Sequence, residues 1–101
     1  MACEVLLSDT ARHQRDAIIL FLTEDARATQ RASAFIDELD EVIARLAAYP
    51  EFYPLARDEK LARNGYRKAN VAGYIVLHRH VDNRVYITNI FHERQDYARL
   101  V

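Results

Sequence analysis

The sequence predicts an α+β fold: an N-terminal strand, a helical hairpin, then a three-stranded antiparallel meander, with the helices packed on one face of a mostly antiparallel sheet. Three observations predict it. Between Ala11 and Leu46, apolar residues recur at helical spacing. From Leu61 onward the pattern changes from helical to extended, with β-branched and aromatic residues in runs separated by short turn signals. Two glycines and two prolines among 101 residues leave room only for short connections. The length is that of one domain spanning residues 1–101.

The elements follow in order. The apolar run CEVLLS reads as a strand. Ser8 or Asp9 can accept the first free amides of a helix carrying Ala11, Gln14, Ile18, Phe21 and Leu22 on its inner face. Thr23 or Asp25 is the expected cap of a second helix. Its apolar stripe is Ala28, Ala32, Phe35, Ile36, Leu39, Val42, Ile43 and Leu46, with Asp37, Glu38, Asp40, Glu41 and Arg45 opposite. Pro50 ends it, because proline has no amide to donate and its ring clashes with the preceding turn. The stretch PEFYPLARDEK reads as an irregular loop with Phe52 or Tyr53 plugged inward. GYRKANV, GYIVLHRHV and RVYITNIFH read as three strands. Asp82 and Asn83 supply a tight turn, since both tolerate left-handed backbone. The second of these strands places Ile75, Leu77 and Val81 on the greasy face, against Tyr74, Val76, His78 and His80 on the wetter one. In the third, Val85 and Ile87 alternate but Ile90 falls on the other face. A one-residue bulge near Thr88 and Asn89 restores the register.

Composition narrows the setting. The only cysteine, Cys3, has no internal disulfide partner and no second thiol for a metal knuckle, which fits a reducing, cytoplasmic setting. The opening MACEVLLSDT has no basic n-region, and no apolar run reaches the roughly 18 residues of a membrane span. Charge is split along the chain. Residues 1–59 carry six arginines against twelve acids, a balance of −6; residues 60–101 carry eight Lys or Arg against three acids, a balance of +5. Such a split can give one positive face that attracts phosphate or an acidic partner, or a solvated surface with chance segregation.

The candidate site is the end of the last strand, where HERQDY crowds His92, Arg94 and Tyr97 together. Imidazole exchanges protons near neutrality. Guanidinium offers a fixed fork for phosphate. Tyrosine stacks on a base or acts as a weak acid. Arg67 and Arg79 lie on neighbouring strands. Such a set can cleave RNA without metal: a base activates the ribose 2′-hydroxyl, arginines hold the phosphorane, and an acid protonates the leaving oxygen. The same residues also read as a surface histidine and an exposed Arg94–Asp96 ion pair worth under about 1 kcal/mol. His78 and His80 share a strand face, but no third ligand has metal-site spacing, so no metal or other cofactor is expected. Cys3 reads as a small buried residue sooner than as a nucleophile. No Gly-rich phosphate loop, CxxC or nucleophile elbow is present.

These features together resemble the RelE/ParE superfamily of toxins from bacterial toxin–antitoxin modules, over essentially the whole length. The resemblance rests on the opening strand and helical hairpin, on GYRKANVAGYIVLHRHVDNRVYITNIFH, and on the H-x-R-x-D ending of HERQDYARL. It implies a growth-arresting toxin held by a cognate antitoxin in a hetero-oligomer. RelE-like members cut mRNA on the ribosome without metal; ParE-like members cut nothing and poison DNA gyrase. Carried over, Arg67, His92, Arg94 and Tyr97 are the catalytic candidates. Arg79, Lys68 and His78, which the resemblance does not assign, are the substrate-binding candidates. Ile75 and Ala69 stand where RelE itself has basic residues. The expectation is mRNA cleavage, with gyrase inhibition as the alternative.

Overall fold

A computed structural model describes residues 3–25, 27 and 29–101. The order is β1 (Glu4–Leu7), α1 (Asp9–Glu24), α2 (Thr29–Ala48), α3 (Glu59–Arg63), β2 (Tyr66–Val71), β3 (Tyr74–Val81) and β4 (Arg84–His92), followed by a 3-10 turn at Tyr97–Arg99. The sheet runs β1-β4-β3-β2. The meander is antiparallel, whereas β1 joins the free side of β4 in parallel, with Glu4 opposite Arg84. Among the described residues, no helix is long and apolar enough to cross a membrane.

Helices α1 and α2 cover one sheet face. Ala11, Leu22, Ala32, Phe35, Leu39, Val42 and Leu46 meet Ala69, Val71, Val76, Val85, Ile87 and Ile90. Phe35 sets its ring edge-to-face on Tyr74 at 5.3 Å. Phe21, expected inside, is 67% exposed near the end of α1. Ala28 lies outside the described residues. The second helix begins at Thr29, so neither expected cap starts it. Thr23 is still inside α1, its hydroxyl donating to Leu20 O, while the Asp25 carboxylate accepts Arg27 N–H in the connection.

The faces of β3 are the reverse of those expected. Val76 and Tyr74 point to the two long helices, and Ile75 and Leu77 form a second small core with Ala56, Leu61 and Phe91. Alternation shows that two faces differ, not which one the helices cover. β3 is an inner strand with apolar cover on both sides, so its two sets of side chains are almost equally greasy. The cover on the second face is α3, a short helix that begins at the end of the segment expected to be irregular and runs through Leu61–Arg63, expected to be extended. Asp58 caps it by accepting Leu61 N–H at 3.0 Å. Tyr53 is the aromatic that turns inward; Phe52 stays exposed.

Strand β4 carries the bulge. Leu77 faces Asn89 and His78 faces Ile87, so Thr88 is the extra residue. Two side chains near the start of α1 satisfy the backbone groups around it. The Ser8 hydroxyl donates to Thr88 O at 2.8 Å while accepting Ala11 N–H as the helix cap. Gln14 Oε1 accepts Ile90 N–H at 2.7 Å.

Candidate functional site

The bulge decides where β4 ends and where its last side chains point. Beyond it, Ile90 returns to the helix side and His92 comes opposite Tyr74, their rings edge-to-face at 5.3 Å. His92 N–H donates to Gln95 Oε1, and Arg94 N–H donates to His92 Nδ1 at 3.1 Å. The imidazole is therefore the hub of a tight turn, with Nδ1 an acceptor. It borders a groove of about 440 Å³ between α1 and the end of β4, lined by Gln14, Ile18, Tyr74, Ile90 and Leu100 among others. Arg94 is exposed beside it. Tyr97 lies over the second face, stacked on Phe91 at 6.3 Å. His92 and Tyr97 thus flank the strand end from opposite sides.

Arg67 is elsewhere. It pairs with His78, four residues along β3 from Tyr74. At ~3.3 Å per residue and ~4.8 Å per strand, the α-carbons of Arg67 and His92 are roughly 16 Å apart. The Arg67 guanidinium is already engaged: Nη1 donates to Tyr53 O at 2.8 Å, and Nη2 lies 3.6 Å from Glu51 Oε2. It ties the loop after α2 to the edge of the sheet.

His78 is fully buried, with Tyr53 edge-on at 5.8 Å. Its Nδ1 donates to Val76 O at 3.1 Å, and Nε2 has no hydrogen-bond partner. Desolvation pushes its pKa from the ordinary 6.5 down to about 4, with Arg67 adding to the fall and the Val76 carbonyl opposing it. It offers no surface to a substrate. Arg79 and Lys68 lie on the second face, Arg79 spread over the Tyr66 ring at 5.1 Å. With Lys60 and Arg63 on α3 they make that face basic, while Asp37, Glu38, Asp40 and Glu41 are exposed on α2, across the sheet.

The seven sequence-predicted residues therefore occupy four places: His92 with Arg94 at the turn, Tyr97 over Phe91, Arg67 with buried His78, and Arg79 with Lys68. Arg67 therefore stands apart from His92 and Arg94, its α-carbon roughly 16 Å from that of His92. Sequence reading weighed His80 only as a metal ligand beside His78 and passed over Glu51, yet both join Arg67 in one network: His80 Nδ1 lies 3.2 Å from Glu51 Oε1. The only signal for it was a polar residue pair, His78 and His80, on a strand face packed against helices. Among the described residues, no group of three or more His, Cys, Asp or Glu could hold a metal ion.

Residues 5–97 match the family model of the ParE toxin of the type II toxin–antitoxin system parDE. No curated protein matches the chain. Among solved structures, one described as the chromosomal ParDE toxin–antitoxin system from P. aeruginosa superposes with a TM-score of 0.70 at 13% identity, over 90% of this chain and 96% of that one. The toxin–antitoxin complex RelBE2 from Mycobacterium tuberculosis gives 0.52 at 17% identity, over 91% and 99%. At such identities these neighbours speak for the fold. The match to the family model covers all but the two ends of the sequence, and by it this chain belongs to the ParE toxin family of type II toxin–antitoxin systems.

Proposed function

We propose that this toxin arrests growth in the cytoplasm by binding DNA gyrase without cutting nucleic acid, and that a cognate antitoxin silences it. The observation that carries the reading is the dispersal of the cleavage set: Arg67 is bound to Tyr53 O and Glu51, roughly 16 Å from His92. Metal-free RNA cleavage needs its acid, base and cations around one phosphate. The family match to ParE rather than RelE supports the same choice. The antitoxin is carried over from the neighbours, which belong to a ParDE system and a RelBE2 complex. A segment of acidic and apolar residues complements the basic second face, where Lys60, Arg63, Lys68 and Arg79 surround the small core.

The test sets two assays side by side on the purified toxin. One follows supercoiling by gyrase; the other maps mRNA 5′ ends in a translating extract. The expected result is inhibited supercoiling with intact mRNA. New 5′ ends that require translating ribosomes and survive EDTA would overturn the proposal and return the toxin to the cleaving class. His92→Ala separates the readings in cells: a gyrase-directed toxin keeps its growth arrest, whereas a cleaving toxin that uses this imidazole loses it.

A further inference from the structure

We propose that Cys3 is a modification site, at which the thiol captures a small-molecule disulfide with His80 as base and Glu51 as the carboxylate that orients it. Three separate segments bring the groups together. Cys3 Sγ lies 4.0 Å from His80 Nε2 on β3, and His80 Nδ1 lies 3.2 Å from Glu51 Oε1 in the loop after α2. A nucleophile next to a base, with the base held by a third group, is the arrangement that activates thiols. Because the carboxylate can only accept, His80 carries its proton on Nδ1 and presents a bare Nε2 to the thiol. The three act in series and do not surround a point, in keeping with the absence of a metal cluster among the described residues.

The thiol is held and reachable. Cys3 N–H donates to Ala47 O at 2.7 Å at the end of α2, and the next amide, Glu4 N–H, donates to Asn83 O. Sγ also lies 3.7 Å from Asn83 Oδ1, a second acceptor. Cys3 is only partly buried, and Glu51 is largely exposed, so the site opens to solvent. Glu51 is fixed from its other side by Arg67, which accounts for a guanidinium at that position without a substrate.

The step balances with one co-reactant. The Cys3 S–H proton passes to His80 Nε2. The thiolate attacks one sulfur of a disulfide R–S–S–R; the new Sγ–S bond forms as the old S–S bond breaks, and the released RS⁻ takes the proton from the imidazolium. Cys3 is oxidised to a mixed disulfide and one R sulfur is reduced to a thiol. With a single cysteine in the chain, no internal thiol resolves the product, so the mixed disulfide persists until an external thiol removes it.

Oxidised glutathione is the probe, added to the full-length chain and followed by mass spectrometry. The expected result is one glutathionyl adduct per chain, lost in Cys3→Ser, forming faster on the folded chain than on the chain unfolded in urea. His80→Asn slows the folded-state reaction by roughly tenfold, and its pH–rate profile then follows that of the unfolded chain. Glu51→Gln, at an exposed side chain, slows it by about threefold with an unchanged melting temperature, and it decides the matter if His80→Asn does not fold. A folded-state rate no higher than that of the unfolded chain, or one that neither substitution changes, overturns the proposal. The outcome is independent of whether gyrase is the target.

Discussion

At His78, burial and protonation oppose each other. Folding keeps the ring neutral down to about pH 4, whereas the unfolded chain takes up the proton near 6.5. Between those values the unfolded state binds more protons, so stability falls as pH drops from 6.5 toward 4 and changes no further from this source below 4. The interval corresponds to roughly 3 kcal/mol. His78→Phe keeps a ring against Tyr53 and removes both the titration and the unpartnered Nε2. Urea unfolding should show the stability difference between pH 7 and 4.5 shrinking by roughly 2 kcal/mol in this variant. Ala72 presents a different conflict. It sits at φ 47°, left-handed, in the turn between β2 and β3, where its N–H donates to Glu38 Oε2 at 2.7 Å. An L side chain there costs about 1–2 kcal/mol. Glycine relieves that but adds about 0.4–1 kcal/mol of unfolded-state entropy. The relief is the larger effect, so Ala72→Gly should raise stability by about 0.5 kcal/mol, read as a higher midpoint with unchanged m-value.

Elements show which information the chain states locally and which it leaves to packing. β2, β3 and β4 are legible because each is a dense run of β-branched and aromatic residues bounded by Gly65, Ala72–Gly73 and Asp82–Asn83. The bulge at Thr88 is legible because Ile87 and Ile90 otherwise face opposite ways. The face of β3 is not legible, since Ile75–Leu77 and Tyr74–Val76 are equally apolar and only the second core around Leu61 and Phe91 distinguishes them. The parallel place of β1 also lies beyond local pattern. For the candidate site, the sequence located the turn with His92 and Arg94 but not the separation of Arg67, which depends on strand register. Bulge and helix start are coupled through Ser8 and Gln14. Gln14→Leu leaves the buried Ile90 N–H without its acceptor and should cost about 1–3 kcal/mol. Ser8→Ala removes both the cap and the bond to Thr88 O, and should cost about 1–2 kcal/mol in the same denaturation measurement.

Across the whole molecule, charge is sorted through the thickness of the sheet, with acids on the outer side of α2 and Lys60, Arg63, Lys68 and Arg79 on the opposite side. A partner steered to the basic side should associate more slowly as salt rises, with dissociation less affected. Stopped-flow binding of the antitoxin at about 0.05 M and about 0.5 M salt checks this, and an association rate insensitive to salt would move the contact to the apolar groove beside His92. The sheet has one further consequence. β1, at residues 4–7, docks beside β4 at residues 84–87, so its neighbour is made some eighty positions later. A nascent chain emerging from the ribosome cannot seat its first strand until residues 84–87 have been synthesised, and contacts so distant along the chain close slowly. The molecule therefore passes through a long interval of synthesis without its completed sheet, and the toxin cannot reach its folded form before β4 has been made.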